Sequence, residues 1–476
     1  MSPEARSLIA PYLIEDGGLA VDNPASGAII ARVRDYAPGE VDGLVAAADR
    51  ARPAWANRTA KDRAGILLKW KNLMMAHQDA LASLATAECG KPLAEAKGEV
   101  AYAASFLEWF AEEGKRAYGD IVPTHAPGKR VLVLKQPVGV TAAITPWNFP
   151  LAMITRKAGP ALAAGCPMIV KPAEATPLSA LALEALAREA GVPDDIFRVA
   201  PTTDPAGVGQ AMCRNATIRK LSFTGSTRVG KILIAQSAET VKRVSMELGG
   251  NAPFIVFDDA DVDAAIEGAL ASKYRNAGQT CVCANRFLVQ DGVHDEFVEK
   301  FSARISALKV GDGAEAGVEI GPLINAAGVE KVAELVDAAL AQGAKTVVGG
   351  AKHEAGENFY QPTLVTGVTP DMRIVREEIF GPVSPIVRFK DDDEAVAIAN
   401  DTPFGLAAYF YARDAARIWR IMESLEYGMV GINEGIISTE SAPFGGVKES
   451  GVGREGSRYG IDEYLEIKYA LLGGLG

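Results

Sequence analysis

The feature that most constrains the fold is a regular alternation of strand-like and helix-like segments that begins near residue 139. The strand-like runs are rich in β-branched residues and lie near 139–144, 167–171, 196–200, 218–223 and 241–246. The helix-like segments between them lie near 150–164, 177–190, 204–213 and 226–238. Alternation of this kind is typical of βαβ units, which build a parallel, doubly wound sheet.

A second series of the same kind begins after Gly249-Gly250, with a strand at 253–257 and a helix at 262–273, and continues to about residue 430. No internal repeat or low-complexity linker divides the chain. A length of 476 residues suits two or three domains of roughly 150 residues each. The predicted fold class is therefore α/β, with two doubly wound domains in one chain.

The flanking regions have other patterns. Apolar residues at helical spacing predict helices over 41–52, 61–89 and 93–118, and 130–135 is strand-like. The tail, 462–472, has the extended apolar pattern of an added strand.

Composition excludes several classes of function. The chain has 49 Lys+Arg against 60 Asp+Glu, a formal net charge of -11, which is a poor match for nucleic acid or an anionic membrane. Five cysteines cannot form a disulfide framework and indicate a reducing compartment. Only four histidines are present, which argues against His-based catalysis and against a His-rich metal site, so no metal is expected.

We expect a cytoplasmic protein without a membrane segment. Residues 1–18 lack the apolar core of a signal peptide. The longest apolar run, 158–170, contains two prolines and is shorter than the roughly 20 residues that span a bilayer.

Two glycine-rich stretches resemble nucleotide-binding motifs. The first, 225–231 (G-S-T-R-V-G-K), fits a P-loop, but Ile232 stands where a P-loop needs Ser or Thr for Mg²⁺. A kinase or nucleotide hydrolase is therefore disfavoured, although small residues before a helix still suit a phosphate. The second, 451–456, matches G-x-G-x-x-G, but only 20 residues follow it, so a glycine-rich surface loop is expected.

Three polar positions are candidates for chemistry. Cys281 and Cys283 lie among small and polar residues, as reactive thiols do, whereas the other three cysteines lie in helix-like or core segments. Glu247, between Met246 and Leu248 at a strand end, is either a solvated turn residue or a base with a raised pKa. Asn148, held between aromatic residues and prolines, is either a turn residue or an oxyanion-stabilising amide.

Taken together, six segments resemble the NAD(P)-dependent aldehyde dehydrogenase superfamily over essentially the whole chain. They are 145–150 with Asn148, 170–174 with Lys171, the loop after Phe223, 246–251 with Glu247, 276–283 with Cys281, and 377–382. The resemblance implies an aldehyde dehydrogenase-like fold, with two doubly wound domains and a small β oligomerisation arm. It implies an NAD-binding domain from 1–120 and 142–246, a catalytic domain at 247–445, and a bridging region from 121–141 and 446–476.

The resemblance also implies a mechanism. Cys281 would be the nucleophile, Glu247 the general base, and Asn148 would stabilise the oxyanion together with the backbone N–H of the nucleophile. A thiolate attack on an aldehyde gives a thiohemiacetal, loss of hydride leaves a thioester, and water activated by the base hydrolyses it. This route needs neither a metal nor a histidine.

The cofactor residues are implied in the same way. They are Trp147, Lys171, Glu174, Gly225, Ser226, Glu378 and Phe380. Among them, Glu174 bears on the choice of cofactor, since a carboxylate can accept hydrogen bonds from ribose hydroxyls but repels a 2′-phosphate. NAD is therefore predicted over NADP.

Four further segments resemble the succinate-semialdehyde dehydrogenase branch of the family: 278–283, 433–438, 443–446 and 463–469. The resemblance implies that Arg156, Arg275 and Ser438 bind the carboxylate of a small semialdehyde. Two guanidinium groups suit a carboxylate, but each arginine could instead form an ion pair at a surface or domain interface. Glutarate semialdehyde remains an alternative substrate, and Tyr274 stands where the branch more often has Phe.

The remaining expectations concern regulation and assembly. Some members of the branch use a cysteine pair like Cys281 and Cys283 as a reversible disulfide, so Cys283 is a candidate redox partner. The tail strand and 121–141 resemble the dimerisation arm of the family, so a homodimer or homotetramer is expected. Two other readings stay open: a coenzyme-A-acylating enzyme, which Glu247 disfavours, and a non-catalytic descendant, which would be expected to lack one of the three catalytic residues.

Overall fold

The computed structural model describes residues 1–475, and its first 137 residues are mainly helical. The helices and strands of this part are α1 (Pro3–Ile9), β1 (Leu19–Asp22), β2 (Ile29–Val33), α2 (Val41–Ala56), α3 (Ala60–Ala76), α4 (Gln78–Cys89), α5 (Leu93–Glu113), β3 (Asp120–Val122) and β4 (Arg130–Pro137). The single helix predicted over 61–89 is two helices, because the backbone leaves the helical conformation at His77. Gly90, in the left-handed region at φ 86°, ends α4, and Pro92 immediately precedes α5.

The first parallel series forms a doubly wound sheet. Its elements are β5 (Val140–Ile144), α6 (Ala152–Ala164), β6 (Met168–Lys171), α7 (Pro177–Ala190), β7 (Phe197–Val199), α8 (Pro205–Arg214), β8 (Ile218–Thr224), α9 (Thr227–Ser237) and β9 (Arg243–Glu247). The strand order is β9-β8-β5-β6-β7, and all these pairs are parallel. From β5 the chain adds strands on one side, to β6 and β7, and then on the other side, to β8 and β9. Ligands ordinarily bind outside the carboxyl ends of the two strands at which this order switches, here β5 and β8.

Helices cover both faces of this sheet. On one face α6 and α7 pack with α3, α4 and α5 around Trp70, Phe106 and Phe110, which are fully buried. On the other face α2, α8 and α9 pack around a smaller apolar cluster. The long N-terminal helices are therefore part of the first α/β unit and reach the site from outside its sheet.

The second series forms a seven-stranded sheet. Its elements are β10 (Ala252–Val256), α10 (Val262–Tyr274), β11 (Ala284–Gln290), α11 (His294–Ser306), α12 (Ala326–Ala341), β12 (Lys345–Val348), β13 (Thr363–Thr366), α13 (Arg373–Arg376), β14 (Val383–Phe389), α14 (Asp392–Asn400), β15 (Ala407–Tyr411), α15 (Ala415–Ser424) and β16 (Met429–Ile432). The order is β12-β13-β14-β11-β10-β15-β16, parallel except for the pair β12–β13. The prediction of two parallel α/β units is thus confirmed.

The last part of the chain returns to the first unit. Its elements are β17 (Gly451–Val452), α16 (Tyr459–Asp462) and β18 (Leu465–Leu472). The strand β17 pairs antiparallel with β9 and becomes the outer strand of the first sheet, with Gly451 opposite Glu247. The expectation of a plain surface loop at 451–456 is therefore wrong, since this stretch starts as a sheet strand and Glu455 within it is buried.

The strand β18 forms a separate antiparallel sheet with β4 and β3, in the order β18-β4-β3. Both outer strands of this arm carry exposed apolar side chains, which include Ile121, Ile467 and Tyr469. Across residues 1–475, no helix combines the length and the apolar character needed to cross a bilayer.

Candidate active site

A cavity of about 310 Å³ lies at the carboxyl ends of the first sheet, against the second α/β unit. Most of the site residues predicted from the sequence line it. They are Trp147, Asn148, Arg156, Gly225, Ser226, Arg275, Cys281, Glu378, Phe380 and Ser438. Lys171, Glu174, Glu247 and Cys283 lie outside the lining.

Cys281 is presented by a loop with an unusual backbone between α10 and β11. Asn276, Ala277 and Gly278 have φ values of 51°, 53° and 76°, so three consecutive residues are left-handed. The third must be glycine, because a Cβ at Gly278 would overlap the carbonyl oxygen of Gly381. A turn follows, closed by a hydrogen bond of 3.2 Å from the N–H of Cys283 to the carbonyl of Thr280.

This turn sends the two thiols in different directions. Cys281 is partly exposed and lines the cavity, whereas Cys283 is buried and donates to the carbonyl of Gly278 at 3.2 Å. Burial raises the pKa of Cys281 to about 12, and the guanidinium of Arg156 acts in the opposite sense. The thiol is therefore neutral at neutral pH and needs a base. A disulfide between Cys281 and Cys283 stays a prediction.

Asn148 lies in the turn after β5, directly against the loop of the nucleophile. Its Nδ2 donates to the carbonyl of Gln279 at 2.9 Å, two residues before Cys281. Its Oδ1 is buried and has no hydrogen-bond partner within residues 1–475. The amide thus lies beside the sulfur-bearing loop, where an oxyanion on a bound aldehyde would need a donor.

Glu247, at the end of β9, lies in a buried charged cluster outside the cavity lining, close enough to Cys281 for its charge to act on the thiol. It is only 2% exposed, and neither carboxylate oxygen has a hydrogen-bond partner among the described residues. A Cβ at Gly445 would lie 2.9 Å from its Oε1, so only glycine leaves room there. Burial and the nearby carboxylate of Glu455 raise the pKa of Glu247 well above its ordinary value.

Glu455 has the opposite protonation behaviour. Burial disfavours its charge, but Lys157 and Arg156 outweigh this effect, and its pKa is lowered. Its carboxylate pairs with Lys157 and lies 2.5 Å from Nε of Arg156. The surroundings therefore favour the ionised form of Glu455 and the protonated form of Glu247.

The two predicted substrate arginines differ in their surroundings. Arg156 is fully buried, pairs with Glu455, stacks on Phe444 at 4.1 Å from the ring centre and lines the cavity, so its contact with a substrate stays a prediction. Arg275 lies 5.2 Å from the ring of Phe149, and its Nε is buried without a partner in the described part of the chain. Arg275 therefore has the capacity to bind an anion in the cavity.

The cofactor candidates surround the start of α9. The side chain of Ser226 caps this helix by accepting from the N–H of Val229, so free N–H groups of the first turn face the cavity side. Glu378 accepts one hydrogen bond, from the N–H of Gly250 at 3.2 Å, and burial raises its pKa to about 7. A half-buried carboxyl in the cavity lining, with a single long hydrogen bond, can still accept hydrogen bonds from the hydroxyls of a ribose.

The aromatic pair Trp147 and Phe380 lies near this carboxylate, with ring centres 5.6 Å apart in an edge-on arrangement. Phe380 is left-handed, at φ 57°. Lys171 ends β6 at the same edge of the sheet and pairs with the half-exposed Glu174. These residues fit a dinucleotide laid across the carboxyl ends of the first sheet.

Sequence reasoning missed the charged residues that lie behind the site. Glu455 is the central one, and its partner Lys157 is 298 residues away in the chain. A charged residue within a glycine-rich stretch is ordinarily exposed, so no local pattern marked it as buried. The buried pair Lys91–Glu99, next to Asn148, was also missed, because charged residues are ordinarily exposed and nothing in the local sequence marks these two as buried.

The comparisons with known proteins extend over the whole fold. Residues 14–470 match the aldehyde dehydrogenase family. The chain is 60% identical to succinate-semialdehyde dehydrogenase [NADP(+)] GabD of Escherichia coli, over 97% of this chain and 96% of that one. It is also 60% identical to a glutarate-semialdehyde dehydrogenase of Pseudomonas aeruginosa, over 96% and 94% of the two chains.

A solved structure agrees with these relatives. The crystal structure of a succinate-semialdehyde dehydrogenase from Burkholderia pseudomallei superposes with a TM-score of 0.95 at 58% identity, covering 96% of this chain and 95% of that one. The predicted fold class is therefore confirmed.

The charged cluster predicts opposite effects of two matched substitutions on stability. A carboxyl whose pKa is raised by folding destabilises the folded state as pH rises above its ordinary value of 4.5. We expect Glu247→Gln to raise the melting temperature by about 2–4 °C at mildly alkaline pH, a gain that disappears near pH 4. Differential scanning fluorimetry across pH measures it.

Glu455→Gln is the matched control. It leaves Arg156 and Lys157 without their carboxylate, at a cost of about 3–5 kcal/mol, and should lower the melting temperature at the same pH. Equal shifts of the same sign in both variants would contradict the assigned protonation states.

Proposed function

Because the chain belongs to the aldehyde dehydrogenase family, we propose that it oxidises succinate semialdehyde to succinate with NAD as hydride acceptor. The observation that carries the proposal is the Arg275 guanidinium, whose Nε is buried without a partner among residues 1–475, in the same cavity as Cys281. A short aldehyde with a carboxylate at its far end could place its carbonyl carbon at Cys281 and its carboxylate at Arg275. Relatives named for succinate and glutarate semialdehydes support this class of substrate.

Three polar groups support a carboxylate site around Arg275. Ser438 lines the cavity, and the hydroxyl of Tyr102 is buried there without a partner in the described structure. Arg156 adds positive charge, although Glu455 already neutralises much of it. Arg275 is therefore the main anion-binding group, and glutarate semialdehyde, one methylene longer, is the alternative substrate.

The first chemical step forms a bond between Cys281 and the aldehyde carbon. The thiol gives up its proton to a base, for which the ionised form of Glu247 is the candidate, and the thiolate adds to the carbonyl. Glu247 then releases this proton to solvent, so that it is ionised again for the hydrolytic step. Negative charge then moves to the carbonyl oxygen, where Nδ2 of Asn148 and the N–H of Cys281 donate to it. The product is a thiohemiacetal on the sulfur.

Oxidation and hydrolysis complete the reaction. When bound, NAD supplies the acceptor for the hydride that leaves the thiohemiacetal carbon, and a thioester remains on Cys281. Glu247 in its ionised form removes a proton from water, which attacks this thioester, releases the acid and frees the thiolate. Glu455 stays ionised between Lys157 and Arg156, so the exchangeable proton of the cluster belongs to Glu247.

Cofactor preference is proposed from the Lys171–Glu174 pair. The Escherichia coli relative, 60% identical to this chain, is named for NADP(+), so the cofactor has to be argued from residues of this chain. Here the carboxylate of Glu174 pairs with the ammonium of Lys171, so this ammonium is less available to a 2′-phosphate, and the carboxylate itself would repel one. Both effects favour NAD.

Substitution of Arg275 tests the substrate. We expect Arg275→Ala to raise KM for succinate semialdehyde by about 10–100-fold, since a charge-assisted hydrogen bond contributes about 1.5–3 kcal/mol. KM for butanal, a neutral aldehyde of the same length, should change little. NADH formation with succinate semialdehyde, glutarate semialdehyde and butanal measures all three, and equal losses with the charged and neutral aldehydes would refute the assignment.

Substitution of Glu174 tests the cofactor. Glu174→Ser should free Lys171 for a 2′-phosphate and raise kcat/KM with NADP relative to NAD about tenfold or more. The control is Asp195→Ser, which removes an exposed negative charge at the opposite edge of the sheet, after α7. If the parent enzyme already uses NADP as efficiently as NAD, the preference is wrong.

We propose that the β18–β4–β3 sheet binds a second copy of the chain. Its outer strand β18 leaves Ile467 72% exposed and Tyr469 60% exposed, on one face of the strand. Exposed edge strands with apolar side chains are ordinarily covered by another chain. A homodimer or homotetramer follows from this reading.

Replacing one arm residue with a charge should separate the copies. We expect Ile467→Lys to shift the protein towards the monomer in size-exclusion chromatography with light scattering, because burying an unpaired ammonium is unfavourable. Lys468→Glu, on the other face of β18, is the control and should retain the parent mass. A parent protein that is already monomeric at micromolar concentration would rule the arm out as an interface.

A further inference from the structure

A buried ion pair that the proposed mechanism does not use lies directly behind the oxyanion amide. Lys91, in the break before α5, pairs with Glu99 of α5, and their side chains are 1% and 0% exposed. The ammonium of Lys91 also donates to the main-chain carbonyl of Asn148 at 2.7 Å. The pair therefore contacts the very residue proposed to hold the oxyanion.

Glu99 fixes the other end of the same turn. Its Oε1 accepts hydrogen bonds from the N–H groups of Leu151 and Ala152, at 2.9 and 3.2 Å. Leu151 immediately precedes α6 and Ala152 is its first residue. N–H groups at the start of a helix have no carbonyl partner within the helix, so Glu99 supplies the acceptor. Lys91 and Glu99 thus hold the chain at two points, the carbonyl of Asn148 itself and the N–H groups of Leu151 and Ala152 that follow it.

The loop of the nucleophile depends on the same carbonyl. Nδ2 of Asn276 donates to the carbonyl of Asn148 at 3.2 Å, and the N–H of Asn276 donates to Glu95 of α5 at 2.7 Å. The side chain of Asn148 in turn donates to the carbonyl of Gln279. Residues near the start of α5 therefore set the distance between the oxyanion turn and the left-handed loop that carries Cys281.

We propose that Lys91 and Glu99 are positioning residues, which hold the Asn148 amide in register with Cys281 for the transition state. The inference rests on the proposed role of Asn148 as an oxyanion donor. Stability alone gives little reason for such a pair, because burying two charges offsets most of their attraction. A displacement of about 1 Å between reacting groups can lower a rate about a hundredfold.

The chain offers a matched control in Glu88. This residue is also fully buried in the first unit, and its carboxylate accepts from the N–H groups of Leu178 and Ser179 at 2.7 and 2.8 Å, at the start of α7. Glu88→Gln and Glu99→Gln therefore replace the same atoms at the same kind of helix end, and they differ in that Glu99 is paired with Lys91, whereas burial raises the pKa of Glu88 to about 8. Only Glu99 is tied to the turn that carries Asn148.

The experiment is a double-mutant cycle measured at saturating NAD and semialdehyde. We expect Glu99→Gln to lower kcat about tenfold or more while KM for the aldehyde changes less than about threefold. In an Asn148→Ala background the same substitution should lower kcat less than about twofold, because its target is gone. Glu88→Gln should leave kcat within about twofold of the parent, whatever its melting temperature.

The outcomes distinguish a failure of the positioning role of Glu99 from a failure of the oxyanion role of Asn148. If Asn148→Ala itself leaves kcat unchanged, the oxyanion role of Asn148 fails. If Glu99→Gln lowers kcat equally in both backgrounds, or no more than Glu88→Gln, the positioning role is overturned. Should Glu99→Gln not fold, the double variant Lys91→Met/Glu99→Gln removes the charges together and is measured in the same cycle, with the same criteria.

Discussion

The pairing of β17 with β9 is the contact on which the active site depends. Two residues, Gly451 and Val452, bring the chain back from the second α/β unit and attach it to the first sheet beside Glu247. A Cβ at Gly451 would overlap the carbonyl oxygen of Met246, so this close approach needs glycine. Three residues later Glu455 enters the protein between Arg156 and Lys157. Without this pairing the two cations would be buried alone, and Glu247 would lose the carboxylate that, in addition to burial, raises its pKa.

Much of the fold could be predicted because its strands and helices follow local periodicity. The helix at Pro177–Ala190 has the bounds read from the sequence, and Pro205–Arg214 and Thr227–Ser237 differ from prediction by one residue at each end. The break at His77 was missed, since apolar spacing continues through it while the backbone changes direction. The site could be predicted from motifs, because short segments such as 145–150 and 276–283 each contain a proposed reacting group together with the loop that carries it.

What the sequence could not predict was which charges would meet. Arg156 and Arg275 looked equivalent, one near Asn148 and the other near Cys281. They differ because a carboxylate from residue 455 reaches only Arg156. Pairings between residues hundreds of positions apart depend on the completed fold, and neither periodicity nor local spacing contains them.

Other buried arginines of the chain show why the surroundings of Arg275 are informative. Arg286 is fully buried and donates to three main-chain carbonyls and to the hydroxyl of Tyr427. Arg63 is buried and donates to three carbonyls. Arg63 and Arg286 are thus satisfied by the fold itself. Arg156 and Arg198 also have a buried Nε without a hydrogen-bond partner, but each lies within ion-pair distance of a glutamate. Among residues 1–475, Arg275 has neither kind of partner for its Nε, and it lies at a cavity, where a ligand can complete what the protein leaves open.

The loop that carries Cys281 is held in an unfavourable backbone conformation by hydrogen bonds from its neighbours. Left-handed conformations at Asn276 and Ala277 cost about 1–3 kcal/mol each for residues other than glycine, and they persist only where the surroundings impose them. Glu95 and the carbonyl of Asn148 supply that constraint through hydrogen bonds to Asn276. These contacts come from α5 and from the turn it holds, outside the second sheet that carries the loop. The position of Cys281 is therefore set by both units, by Glu95 and Asn148 from the first and by the close approach of Gly278 to Gly381 in the second.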